Sequence, residues 1–257
     1  MSAPMPTSSR PVLVTRPTGR AGALVTLLEQ QGLVVEHRPL VRLTLEGGAE
    51  LAAACERLAA GAYTHLVVTS RTTVEALLAA SSTGTAPRLV IPATTQVVAV
   101  GTGTAEALAA AGAPASLVAD GSGAALVEMM PPVADGTAEA LLPASAAASP
   151  TVPEGLAAKG YRLEQVIAYR PGTVPLPAAT ADALRRGEYG AIVLTSPMIA
   201  RAAAAVGVHG STAVITIGGP TDEAARAAGL PTPVQAEAPT DDALVGAVLS
   251  ALASRPS

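Results

Sequence analysis
The chain carries a diverged copy of part of itself, and this constrains its fold more than any other feature. Val100-Gly101-Thr102-Gly103-Thr104-Ala105-Glu106-Ala107 is answered 117 positions later by Ile217-Gly218-Gly219-Pro220-Thr221-Asp222-Glu223-Ala224, and the runs end at Ala111-Gly112 and Ala228-Gly229. A second pair agrees. Leu66-Val67-Val68-Thr69-Ser70 is echoed by Ile192-Val193-Leu194-Thr195-Ser196, with Tyr63 and Tyr189 three residues ahead. In each copy an apolar, strand-like run passes through Gly, Ser or Thr into an Ala-rich helical run. Such junctions present free backbone N–H groups and hydroxyls, which suit a carboxylate or phosphate. The duplication predicts two facing anion-friendly edges.

At 257 residues and 49% hydrophobic composition the chain can build one large or two medium cores. Charged residues are 14% and aromatics 2%, with no Trp or Phe, so stacking platforms for bases are poorly supplied. A net charge of −4 also argues against a nucleic-acid partner. Lys159 is the sole lysine and stands just before Gly160, which suits a helix C-terminus better than a Schiff base. Cys55 is alone, so no disulfide can form within the chain, and its helical, apolar setting suits a small buried hydrophobe. His37, His65 and His209 are scattered without ligand spacing, and no metal is indicated. Met1 to Arg10 is rich in Pro and Ser, and no run of about 18 apolar residues occurs. A soluble, cytoplasmic protein with a frayed N-terminus is expected, with no membrane partner.

Short Val/Ile/Leu runs alternate with Ala-rich stretches of helical period, as in a parallel sheet covered by helices. Strands are expected at 12–15, 33–37, 66–69, 97–100, 116–119, 140–142, 163–168, 191–195, 213–217 and 233–236. Helices are expected near 19–31, 49–60, 72–80, 103–111, 123–130, 151–159, 178–186, 198–206, 220–228 and 240–253. Thr221 to Glu223 and Thr240-Asp241-Asp242 read as helix openings, while Gly32, Gly112, Gly160 and Gly229 read as stops. Ten strand–helix units divide into two fives, each enough for a small doubly wound sheet. The repeat alone would cut the chain near Pro131–Gly136. Arg38-Pro39 and Arg170-Pro171, each after the second strand of its copy, compete as connectors, and crossing at both makes one domain discontinuous.

Gly101-Thr102-Gly103 after a strand, with Asp120 downstream, has part of a dinucleotide fingerprint, but Glu106 stands where the third glycine belongs. Pro220 in the second copy weakens that reading further. Ser70 and Ser196 stand at strand ends without the Gly-x-Ser-x-Gly elbow, so they read as ligand donors or as helix caps. Tyr169 follows an apolar run and precedes Arg170-Pro171, which suits either a phenol donating into a cleft or ordinary packing.

The segments Val12-Leu13-Val14-Thr15-Arg16-Pro17, Val67 to Ser70, Val100 to Thr104, Leu141-Leu142-Pro143, Pro153-Glu154-Gly155-Leu156, Val166 to Arg170, Leu194 to Ser196, Ile217 to Thr221 and Ala236 to Thr240 follow a shared order. Through them the chain, from Val12 to Leu252, resembles the uroporphyrinogen-III synthase family. The resemblance implies two similar doubly wound, flavodoxin-like α/β domains with parallel sheets, joined by a two-strand hinge with a cleft between them. Domain one would hold 1–38 and 173–257, and domain two 39–172. It also implies a lyase that closes hydroxymethylbilane, a linear tetrapyrrole with eight carboxylates, to uroporphyrinogen III with ring D inverted and water lost. No cofactor takes part, and a monomer is expected. By position Tyr169 would assist departure of hydroxide, and Arg16, Ser70, Thr104, Ser196 and Thr221 would hold carboxylates. Two departures stand out. Many relatives resemble Arg-x-Asp where this chain has Ala144-Ser145-Ala146, and some carry a basic residue where it has Thr72. The alternative is a two-domain small-molecule-binding or regulatory module without catalysis.

Overall fold
The computed structural model describes residues 10–46, 48–81, 88–134 and 136–254; most of the N-terminal stretch expected to fray lies outside them. In chain order the elements begin β1 (Val12–Val14), α1 (Gly22–Gln30), β2 (Val35–His37), β3 (Val41–Leu45), α2 (Ala49–Ala59), β4 (His65–Val68) and α3 (Arg71–Ser81). They continue with β5 (Gln96–Val100), α4 (Thr102–Ala110), β6 (Leu117–Ala119), α5 (Gly123–Met129), β7 (Glu139–Ser145), α6 (Thr151–Ala158) and β8 (Arg162–Thr173). The last seven are α7 (Ala178–Arg186), β9 (Ala191–Leu194), α8 (Pro197–Val206), β10 (Ala213–Thr216), α9 (Gly219–Ala227), β11 (Val234–Gln235) and α10 (Asp241–Ala253).

The chain divides into two compact units, 10–42 with 172–254, and 43–171, so the first crossing follows Arg42 rather than residue 38. The first unit holds a sheet in the order β11-β10-β9-β1-β2, and the second a sheet in the order β3-β8-β7-β4-β5-β6. From β11 to β2, and from β8 to β6, neighbouring strands run parallel. Read across, β11, β10, β9, β1 and β2 of one sheet take the places of β6, β5, β4, β7 and β8 of the other. The second unit is therefore the first layout entered at a different strand, which is what a chain that leaves and returns produces.

Both faces of each sheet are covered. In the first unit Val12, Val14, Val193 and Ile215 pack with Leu24 and Leu28 of α1 and Leu244 and Val248 of α10. The alternate residues Leu13, Ile192, Leu194 and Val214 are equally buried on the other face. In the second unit Leu66, Val68, Ala99 and Val166 pack with α2, α3 and α4, while Val67, Val98, Ala140 and Leu142 pack with α5 and α6. Two-sided burial explains why these strands read as continuous apolar runs. Each fully buried Leu or Val contributes about 1.5–3 kcal/mol.

All ten expected helices form, within a few residues of their expected ends. Thr240 caps α10 by accepting from the Ala243 N–H at 3.2 Å. The opening of α9 is different from expectation: it starts at Gly219, and Thr221 lies inside the helix. Pro220 tolerates the first turn because no intrahelical N–H is required there. Two strand expectations need correction. β3 is an addition, so the expected five strands of the second unit become six among the described residues. β8 also runs through Arg170-Pro171, where a connector is expected from the sequence. Pro171 fits because the pairing of β8 with β7 ends at Tyr169, and beyond it no ladder donor is needed on that side. No helix among the described residues is long and apolar enough to cross a membrane.

Candidate functional site
Each sheet reverses its strand order once, between β1 and β9 in the first unit and between β7 and β4 in the second. Ligands of open parallel sheets bind outside the carboxyl ends of the strands at such reversals. Thr15-Arg16-Pro17 and Thr195-Ser196-Pro197 follow the two strands at the first reversal. Thr69-Ser70-Arg71 and Ala146-Ala147-Ala148 follow those at the second.

In the second unit, Ser70 opens α3. Its Oγ accepts from the Thr73 N–H at 3.1 Å, is 3.0 Å from Thr73 Oγ1, and donates to the Tyr169 hydroxyl at 3.3 Å. Tyr169 reaches this position through an irregularity in its strand. Ala144 pairs with Ile167, but Ser145 pairs with Tyr169, so Ala168 is an extra residue. Simple alternation would send Tyr169 to the face opposite Ala168. Instead Val166, Ala168 and Tyr169 all pack against the same core. The Tyr169 oxygen accepts from Ser70, which leaves its own proton free to donate elsewhere. Thr104 lies in the first turn of α4 and is 6% exposed. The turn before it depends on Gly101, whose φ of 76° is a conformation L side chains rarely adopt.

In the first unit, Ser196 caps α8 by accepting from the Ile199 N–H at 3.3 Å, and remains half-buried. Thr221 is 3% exposed in the first turn of α9. Next to it, buried Asp222 accepts from Thr216 Oγ1 at 3.3 Å and from Arg226 Nε at 2.6 Å. Arg16, which follows β1, is ion-paired to Asp241 at 2.6 Å with 13% of its side chain exposed. His37 Nε2 donates to the Arg16 carbonyl at 2.8 Å, tying the end of β2 to the loop after β1. Ser70 and Tyr169 are thus brought into contact, and Arg16 and Ser196 border one reversal.

Two contributors escape a sequence reading. Thr73, fully buried, holds the Ser70 hydroxyl; the Ser-x-x-Thr spacing at a helix start is the available signal. The extra residue Ala168 leaves no signal at all. Among the described residues no group of three or more His, Cys, Asp or Glu side chains could hold a metal ion.

Residues 22–246 match the family described as uroporphyrinogen-III synthase HemD, a span that takes in both units. The chain belongs to the uroporphyrinogen-III synthase family. Membership makes it a lyase of tetrapyrrole biosynthesis. Solved structures of uroporphyrinogen-III synthases share its fold. A triply substituted synthase from Thermus thermophilus is 22% identical with a TM-score of 0.66, over 95% of this chain and 100% of that one. The Helicobacter pylori synthetase is 16% identical with a TM-score of 0.67, over 94% and 99%. A comparison with curated protein sequences finds no match.

Proposed function
We propose that this synthase converts hydroxymethylbilane to uroporphyrinogen III, with Tyr169 as the proton donor and Arg16, Ser70, Thr104, Ser196 and Thr221 as contacts for the substrate's carboxylates. The observation that carries the assignment of roles is the hydrogen-bonded Ser70–Tyr169 pair at a strand-order reversal of the second sheet. Ser70 donates to the phenol oxygen, so the phenol proton turns away from Ser70 and is available to a substrate oxygen.

In the first step the bond between the hydroxymethyl carbon and its oxygen breaks, the Tyr169 proton goes to the departing hydroxyl, and water leaves. The pyrrole nitrogen supplies the electron pair that stabilises the resulting cation. The substituted carbon of ring D then bonds to the cationic carbon, forming a spiro centre. Its older bond to the neighbouring bridge carbon breaks and re-forms at the free carbon of ring D. The proton lost from that carbon as the ring regains aromaticity returns to the phenolate, so the protein ends unchanged.

Because the substrate supplies its own reactivity, the protein contributes chiefly by fixing which carbon of ring D reaches the cation. Backbone N–H groups at the starts of α3, α4, α8 and α9, with the neighbouring hydroxyls, suit acetate and propionate arms. Arg16 takes part by exchanging Asp241 for a substrate carboxylate. The working form is proposed to be a cytoplasmic monomer, a size that light scattering reads directly. Incubation with freshly made hydroxymethylbilane, oxidation and chromatographic separation of the isomers tests the reading. Type III is the expected product, and type I alone would contradict it.

A further inference from the structure
Two arginines at the carboxyl edges of the sheets are engaged differently. Arg16 in the first unit is neutralised by Asp241. Arg71 in the second unit is the first residue of α3, directly after Ser70, and is exposed. It forms no ion pair or hydrogen bond that involves its side chain among the described residues. Its side chain nevertheless has a defined course. A methyl group at Gly103 would lie 3.7 Å from Arg71 Cδ and Nε and 4.0 Å from Cζ, so the guanidinium lies back across the first turn of α4. Arg71 therefore joins the ends of β4 and β5, beside the Ser70–Tyr169 pair.

Neighbouring positions offer no substitute. Ala144-Ser145-Ala146 at the end of β7 carries no charge. Thr72 is 5% exposed, so a cation could not project from it without disturbing the packing under α3. Apart from Arg71, α3, α4 and the end of β7 carry no cation; the charged residues of α3 and α4 are otherwise Glu75 and Glu106. A guanidinium in that position, without a partner among the described residues, matches a carboxylate with two donors in one plane.

We propose that Arg71 anchors one carboxylate arm of the tetrapyrrole on the second unit and is the principal charged contact for the substrate there. The inference rests on the synthase reading and adds to it a residue that acts on binding rather than on the proton transfer.

Wild type, Arg71→Ala and Arg71→Lys are compared by equilibrium binding of uroporphyrin III at two salt concentrations and by steady-state kinetics with hydroxymethylbilane. Arg71→Ala is expected to raise both the Kd for uroporphyrin III and KM about tenfold, with a flatter salt dependence, while kcat stays within about twofold. Arg71→Lys should recover part of the affinity, because it restores the charge without the planar fork. Kd and KM within about twofold of wild type in Arg71→Ala would overturn the proposal, as would a loss of kcat at unchanged KM. A wild-type protein that binds uroporphyrin III yet makes no type III product would instead defeat the synthase reading, and the ratio of Kd values would still decide the role of Arg71.

Discussion
Tyr169 owes its orientation to one extra residue in its own strand. The apolar run before it and the Arg170-Pro171 after it are visible in the sequence, and the resemblance names the tyrosine. The side on which the phenol emerges depends on the irregularity opposite Ala144 and Ser145, and period-2 reasoning points the other way. Tyr169→Phe is expected to lower kcat for type III formation by about tenfold to a hundredfold, at the low end of general-acid effects because the pyrroles do much of the work. The melting temperature should hold, since the ring keeps its packing. Ser70→Ala should stay active, because in the proposed binding mode backbone N–H groups share the carboxylate contacts. It should lose about 1 kcal/mol of stability with the α3 cap, which thermal unfolding would read. The Arg16–Asp241 pair is beyond sequence reasoning for a different reason: the two residues are far apart along the chain, and pairing between distant charges has no local pattern.

At the scale of elements, helices and buried strands are legible because their apolar periodicity is strong, whereas β3 is hidden by its neighbour. Val41, Leu43 and Leu45 alternate with Arg42 and Thr44 as a strand should. No helix separates β3 from β2, and Arg38-Pro39 looks like a connector. The repeat also extends to paired side chains that the sequence does not reveal. Tyr63 donates to Glu164 on β8, and Tyr189 donates to Glu36 on β2, the strands that match in the two layouts. Arg57 closes the first pair, and Arg38 and Thr180 close the second. Burial first, and the Glu36 carboxylate second, push the Tyr189 phenol up to about 12. A phenol held protonated above its ordinary value of 10.0 contributes stability that is complete below pH 10 and is lost as pH rises toward 12. Denaturant unfolding from pH 9 to 12 should show that alkaline loss in wild type and a shallower one in Tyr189→Phe; equal slopes would remove Tyr189 as its source. Leu141→Ala, in a fully buried position of β7, should cost about 2–5 kcal/mol in the same assay.

On the scale of the whole molecule, one layout is used twice, and the second use begins at a different strand because the chain crosses between the units twice. The repeated segments, offset by 117 positions in one pair and 126 in the other, expose the similarity but not the shift in starting point, since they cover only the strands and helices that keep their order in both units. Duplication places hydroxyl-bearing strand ends and helix starts on both units, and such local donors are how a molecule with net charge −4 would meet the eight carboxylates of the proposed substrate. The claim on which everything else depends is that the protein selects the substituted carbon of ring D. Hydroxymethylbilane labelled with ¹³C at the hydroxymethyl carbon and at that ring D carbon tests it directly, with NMR of the macrocycle made by the wild-type protein. Direct one-bond coupling between the two labels is the expected result. A cyclised product whose labels show no such coupling would mean simple closure at the free carbon and would contradict the claim.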